Sequence, residues 1–194
     1  MKLAFIYLAS GFGRRFGSNK LLYKIKAIPL YQYGFTALQQ AALQLEQQGH
    51  SVKILVASQY KEILVWCREK GAISLDNPAS EQGITASLKL GVKNAREAEA
   101  LLFCVADQPY LTAATLVKLV ESFVQSGKGL GCVACKGKRG NPAIFATRFS
   151  PELLALTGDK GGSLLWQKHP EDVFTLEAAA REVVDIDEIK DIEP

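Results

Sequence analysis

The chain has 194 residues, a length one domain usually fills, and 48% of them are hydrophobic, enough for a full core. Its 23 basic and 20 acidic residues leave a formal charge of only +3, mixed along the chain, which argues against a nucleic-acid binder with its basic face. No apolar run approaches the roughly 20 residues that span a bilayer, so no membrane association is expected.

In chain order, Leu3–Leu8 is an apolar run that predicts a buried first strand. The first ten residues have the look of a short signal peptide. Their apolar stretch is too brief, however, and runs into a glycine loop, so a strand and a cytoplasmic protein are expected. Pro29 opens a helical stretch from Leu30 to Gln48, with Tyr33, Leu38, Ala41, Ala42 and Leu45 on one face. A second strand follows at 52–57, a helix at 61–70 closed by Gly71, and a short strand at 73–75. Ile84, Leu88 and Val92, four apart, predict a helix over 84–98. Leu101–Val105 is the most apolar strand, and Ala113–Ser126 is an amphipathic helix ended by Gly127. The second half is less regular. Strands are expected at 132–135 and 143–146, joined by a polar turn over Lys136–Gly140, and at 173–176 and 183–186. This alternation predicts an α/β fold: a mostly parallel twisted sheet with helices on both faces, Rossmann-like. No linker, repeat or low-complexity tract interrupts it, so residues 1–194 are expected to form one domain.

Of the four cysteines, Cys67 and Cys104 lie in apolar contexts and are expected in the core. Cys132 and Cys135 form a lone Cys-x-x-Cys, whereas zinc normally needs a second ligand pair. In a strand, residues an odd number apart face opposite ways, so these thiols should diverge. Both histidines, His50 and His169, read as surface residues.

Chemistry concentrates after the first strand, in Leu8-Ala9-Ser10-Gly11-Phe12-Gly13-Arg14-Arg15-Phe16-Gly17-Ser18-Asn19-Lys20. Glycines here allow a sharp turn and close approach to a ligand. Successive N–H groups in such a loop form a concavity for anions, and Arg14, Arg15 and Lys20 supply counter-charge. The loop therefore suits a polyphosphate. The Walker A pattern fails, because Gly17 is not followed by Lys-Ser/Thr. The dinucleotide fingerprint fails by one residue, at Gly17. A second motif, Ala106-Asp107-Gln108-Pro109, ends the 101–105 strand. A carboxylate there sits at the crevice edge, where Mg2+ takes one or two carboxylates plus phosphate oxygens. The competing assignment, a helix cap, falls to Thr112 as readily.

Except at Ser10, the loop matches L-A-[AG]-G-x-[GS]-x-R-[MF]-G followed by a lysine, and it resembles the MobA-like nucleotidyltransferase superfamily, most nearly its molybdenum cofactor cytidylyltransferases. The resemblance extends through Asn77–Gly91, Asp107-x-Pro109, Gly140-Asn141-Pro142, Gly158-Asp159-x-Gly161 and Asp185-Ile186-Asp187. It implies that CMP passes from CTP to the phosphate of molybdopterin, with Mg2+ as cofactor and molybdoenzymes as further partners. Arg15, Lys20 and Asp107 are the implied catalytic residues. The nucleotide would meet Leu8, Ala9, Ser10, Gly11, Gly13, Arg14, Lys20, Gly83 and Ser87. Asn141 and Asp159 would face the acceptor. Asp107 and Asp187 would hold the metal, with Asp185 in reserve; without a cation between them, two such carboxylates should repel. Ser10 stands where guanylyl relatives carry a second glycine, so its bulk leans toward CTP over GTP. Gly162-Ser163 replace the family's Ala-Arg, which weakens the acceptor assignment. A sugar or polyol phosphate acceptor and a non-catalytic nucleotide-binding protein are the other readings.

Overall fold

The computed structural model describes residues 1–11, 16, 19–158 and 161–192. A seven-stranded sheet runs through it in the order β5-β4-β1-β6-β8-β7-β9. Its strands are β1 (Lys2–Leu8), β4 (Ser51–Ser58), β5 (Ile73–Asp76), β6 (Ala100–Val105), β7 (Leu130–Cys135), β8 (Lys138–Ala146) and β9 (Val173–Glu177). β1 pairs in parallel with β4 and β6, β4 with β5, and β7 with β9, while β8 runs antiparallel between β6 and β7. A separate two-residue hairpin, β2 (Lys24–Ile25) with β3 (Ile28–Pro29), precedes the first helix. The sequence reading did not anticipate it.

Among the described residues six α-helices cover the sheet: α1 (Leu30–Gln47), α2 (Lys61–Glu69), α3 (Ile84–Asn94), α4 (Ala113–Ser126), α5 (Ser150–Ala155) and α6 (Leu164–Lys168). Strand β1 shows why two layers form. Every residue from Leu3 to Leu8 is buried, so both faces must be covered by apolar partners. Side chains alternate along a strand. Tyr7 accordingly meets α1, donating its hydroxyl to Tyr31 O at 2.7 Å, and neighbouring Ile6 meets α3 at Gly91. On the α1 side, Trp66 of α2 packs edge-on against Tyr31 and Phe35, and α4 lies on α1's other flank. On the opposite side α3 contacts α5.

Four expectations shift. Helix α3 ends at Asn94 rather than 98, because Ala95–Ala98 must turn back into β6, closed by Ala98 N–H to Ala95 O at 3.1 Å. The polar turn shrinks to 136–137, since β8 starts at Lys138. Residues 183–186 form no strand: Ala180–Val183 is a 3-10 turn, and the Ile186 N–H goes to a loop carbonyl instead of a ladder. His50 and His169 are half-buried rather than surface residues, and His169 Nε2 lies 2.9 Å from Glu152 Oε1. The cysteines follow expectation. Cys67, Cys104 and Cys132 are buried, Cys135 is half-buried, and all four are free thiols. Burial pushes the Cys67 thiol up to about 12 and the Cys132 thiol up to about 11.

Among the described residues, no helix is long and apolar enough to cross a membrane.

Candidate active site

From β1 the chain passes through α1 to β4 on one side, and later returns through β6 on the other. Such a reversal leaves a crevice beyond the carboxyl ends of the two strands. Their ends are tied together there. Ala106 N–H donates to Leu8 O at 3.1 Å, and Ala9 N–H to Ala57 O at 2.9 Å.

Lys20 enters this crevice from a 3-10 turn, Lys20–Leu22, which Asn19 caps by accepting Leu21 N–H and which the buried Leu21 anchors. Lys20 is itself only 7% exposed. Its Nζ lies 2.8 Å from Asp107 Oδ2 and 3.0 Å from Asp187 Oδ1. Burial works to lower the pKa of this ammonium, but the two carboxylates outweigh it and raise the value above the ordinary one. Three residues far apart in sequence therefore meet around one cation.

Asp107 is not a helix cap: Thr112 caps α4, its side chain accepting Thr115 N–H. Asp107 Oδ1 is buried with no hydrogen-bond partner, an arrangement that costs free energy unless a donor or cation arrives. The donor set around it is carboxylate oxygen, which suits a hard divalent cation such as Mg2+ or Mn2+. Among the described residues no group of three or more His, Cys, Asp or Glu forms a ready metal cage, so the remaining ligands would be phosphate and water oxygens. Asp185 lies alongside, its Oδ1 accepting Gln108 Nε2 at 2.9 Å. Burial, then the Asp107 carboxylate, raises the Asp185 pKa above the ordinary carboxylate range.

The other side of the crevice is built on α3. Gly83, with φ +86°, is the residue before its first turn, a backbone region that glycine enters without Cβ strain. The Ala86 N–H in this first turn donates to Gly83 O at 3.2 Å. Thr85 Oγ1 is buried there without a partner. Asn77 knits the region together, its Nδ2 donating to Ser10 Oγ at 3.1 Å and to Ser87 Oγ at 2.8 Å. Ser10 and Ser87 are both buried, and the Ser10 hydroxyl also donates to Ala57 O at 3.2 Å. The Ser10 side chain is thus committed to the protein. The loop backbone is held by Gln59 Nε2 on Ser10 O (2.8 Å) and Tyr60 Oη on Gly11 O (3.0 Å). Gln59 and Tyr60 were missed by the sequence reading, and Asn77 and Gln108 stood in quoted motifs without a role of their own.

Asn141 lines a cavity of about 230 Å³ with Leu8, Ile84, Leu88, Arg139 and Trp166. A ladder shift puts it there: Cys132 pairs with Ala143 but Val133 pairs with Gly140. Proline has no N–H for a ladder, so Pro142 needs such a bulge in an interior strand. Gly162 and Ser163 border the same cavity. Gly13, Arg14, Arg15 and Asp159 lie outside the described residues.

A mostly parallel sheet that gathers a lysine and carboxylates at its switch point is the framework of an α/β nucleotide-handling enzyme. The chain matches the MobA-like NTP transferase domain over residues 5–173 and belongs to that family; it is a nucleotidyltransferase. No curated protein sequence matches it significantly. Among solved structures it is similar to Rv0371c from Mycobacterium tuberculosis, at 18% identity and a TM-score of 0.79 over 98% of this chain and 96% of that one. The same mycobacterial protein in complex with manganese gives 0.78 at 18% identity over the same shares. A Methanothermobacter nucleotidyl transferase gives 0.77 at 20% identity, covering 97% and 93%. The 4-diphosphocytidyl-2C-methyl-D-erythritol synthase of Anaerococcus prevotii gives 0.75 at 12%, covering 97% and 92%.

Proposed function

We propose that this nucleotidyltransferase moves CMP from CTP to the phosphate of molybdopterin and releases pyrophosphate, in the presence of Mg2+. The observation that carries the reading is the Lys20 ammonium shared by Asp107 and Asp187 at the crevice. An acceptor phosphate oxygen forms a bond to the α-phosphorus of CTP as the α–β bridge breaks. A phosphomonoester, with its second pKa near 6, is largely ionised at neutral pH, so no general base is needed.

The chain's own residues then position and neutralise. Lys20, with Arg14 and Arg15 of the loop, binds the triphosphate. Leu8 to Gly11, with Gly13, shape the loop around it. Gly83 and Ser87 face base and ribose at the start of α3. Asn141 faces the acceptor from the cavity beside β8, and Asp159 is assigned to the acceptor as well. Asp107 and Asp187 hold the cation, with Asp185 adjacent. A bound Mg2+ supplies charge neutralisation at the α-phosphate and at the leaving pyrophosphate. The diphosphocytidyl chemistry in the name of the similarly folded Anaerococcus synthase supports CTP as donor.

The test incubates the pure chain with Mg2+, molybdopterin and each nucleoside triphosphate in turn, measuring pyrophosphate release. Release should be fastest with CTP. A GTP preference would move the donor to the guanylyl type. Release with a sugar or polyol phosphate but not with molybdopterin would move the acceptor. No release with any donor and acceptor would leave a nucleotide-binding protein.

A further inference from the structure

The C-terminal strap that delivers Asp185 and Asp187 belongs to no sheet. After β9 ends at Glu177, the chain crosses the mouth of the crevice through two 3-10 turns, Ala180–Val183 and Ile189–Asp191. A segment without a strand ladder is placed only by its individual contacts. Ile186 is fully buried and its N–H donates to Asp107 O at 2.9 Å. The Asp191 carboxylate accepts the N–H groups of Asp187 and Glu188, at 3.0 and 2.7 Å, and so shapes the bend locally. Neither contact explains what holds the near end of the strap.

Glu182 does. Its carboxylate reaches the first turn of α4. It accepts Thr112 N–H at 3.1 Å and the Thr112 hydroxyl, and the Thr115 hydroxyl lies 2.9 and 2.8 Å from its two oxygens. The attachment extends one residue back, where Arg181 Cζ stacks 4.4 Å over the Tyr110 ring. A helix N terminus attracts an anion through its free N–H groups and its dipole. The contact also answers a problem of charge. Glu182, Asp185, Asp187 and Glu188 crowd one short strap beside Asp107, and like charges push such a strap off the protein.

We propose that Glu182 is a positioning residue, which clasps the strap to the N terminus of α4 and thereby keeps Asp185 and Asp187 within reach of Gln108 and Lys20. Asp185 lies three positions after Glu182, at most roughly 10 Å of chain, so loosening the clasp loosens the carboxylates. The metal consequence rests on the proposed function; the placement of the strap does not.

Two measurements on the full chain test it. Hydrogen exchange at the Ile186 amide reads the strap directly. Mn2+ affinity in the presence of CTP, by electron paramagnetic resonance, reads the carboxylates it carries. Glu182→Ala should speed Ile186 exchange tenfold or more and weaken Mn2+ about tenfold, while CTP affinity without metal changes less than twofold. Thr115→Val, which removes the receiving hydroxyl and keeps the Thr112 cap, should move both readouts the same way and serves if Glu182→Ala does not fold. Glu182→Gln keeps one acceptor oxygen and should fall between. Unchanged Ile186 exchange in Glu182→Ala or Thr115→Val overturns the clasp. Faster exchange with Mn2+ affinity within twofold of the parent overturns the positioning role. If the parent chain binds no Mn2+ with CTP, the proposed function fails, while the clasp is still decided by Ile186 exchange.

Discussion

Lys20 has two sets of partners at different stages. It lies between Asp107 and Asp187, and in the proposed reaction it faces the triphosphate. Lys20→Ala should therefore lose a charge-assisted contact to CTP, about 1.5–3 kcal/mol, or roughly 10- to 150-fold in affinity, measurable by calorimetry. It should also lower the denaturation midpoint, because Asp107 is left half-buried without its cation. A loop lysine that merely faced solvent would show neither effect. The same geometry reverses the expectation that neutralising a carboxylate relieves repulsion. With the ammonium already between them, Asp107→Asn removes an ion pair. It should melt at a lower temperature without ligand, by about 1–2 kcal/mol, and should need more Mg2+ for turnover. An Asp107→Asn chain with parental activity would remove Asp107 from the mechanism.

Close packing between elements sets the next scale. Gly91 of α3 sits against Ile6 of β1, and a Cβ at Gly91 would collide with Ile6 Cγ2. Gly91→Ala should cost about 1–3 kcal/mol by overpacking, read as a lower urea midpoint with unchanged slope. A second contact ties the start of β7 to the segment before β9. Asp172 accepts Gly129 N–H at 2.7 Å and pairs with Arg148 at 2.6 Å. Burial alone would raise the Asp172 carboxyl, but the Gly129 N–H and the Arg148 guanidinium outweigh it and hold its pKa below the ordinary value of 3.8. A carboxyl lowered in the folded state adds stability that is present above its unfolded pKa and lost as pH falls through the folded one. Asp172→Asn should thus cost about 1–2 kcal/mol at pH 7, and the gap to the parent should close as pH drops below 3.8. A gap that does not narrow at all as pH falls below 3.8 would show that the contact acts through shape rather than charge.

For the molecule as a whole, ligand binding should appear as stability. Anything that binds only the folded chain stabilises it by RT ln(1 + [L]/Kd), about 2.7 kcal/mol at a hundredfold excess over Kd. CTP with Mg2+ should raise the melting temperature by more than the sum of CTP alone and Mg2+ alone, because the carboxylates hold the ion together with phosphate oxygens. Strictly additive shifts would separate the metal from the nucleotide site. How much of this molecule the sequence made legible follows its range of interaction. The apolar runs that predicted β1, β4 and β6, and the helical spacing that predicted the helices between them, are local: each records which side chains its own element buries. Lys20 and Asp107 were legible as residues of the crevice as well, because each follows closely on a strand and its motif. Tertiary structure alone decided the rest. It placed Lys20 between Asp107 and Asp187, residues 87 and 167 positions away. It used Ser10 as a partner of Asn77, and it set Glu182 on the helix that Thr112 caps. It also ended α3 four residues early and left 183–186 without a strand, since both depend on where the next element lies. Propensity is written in neighbouring residues, whereas an ion pair, a clasp or a cavity wall exists only after distant segments are brought together and desolvated.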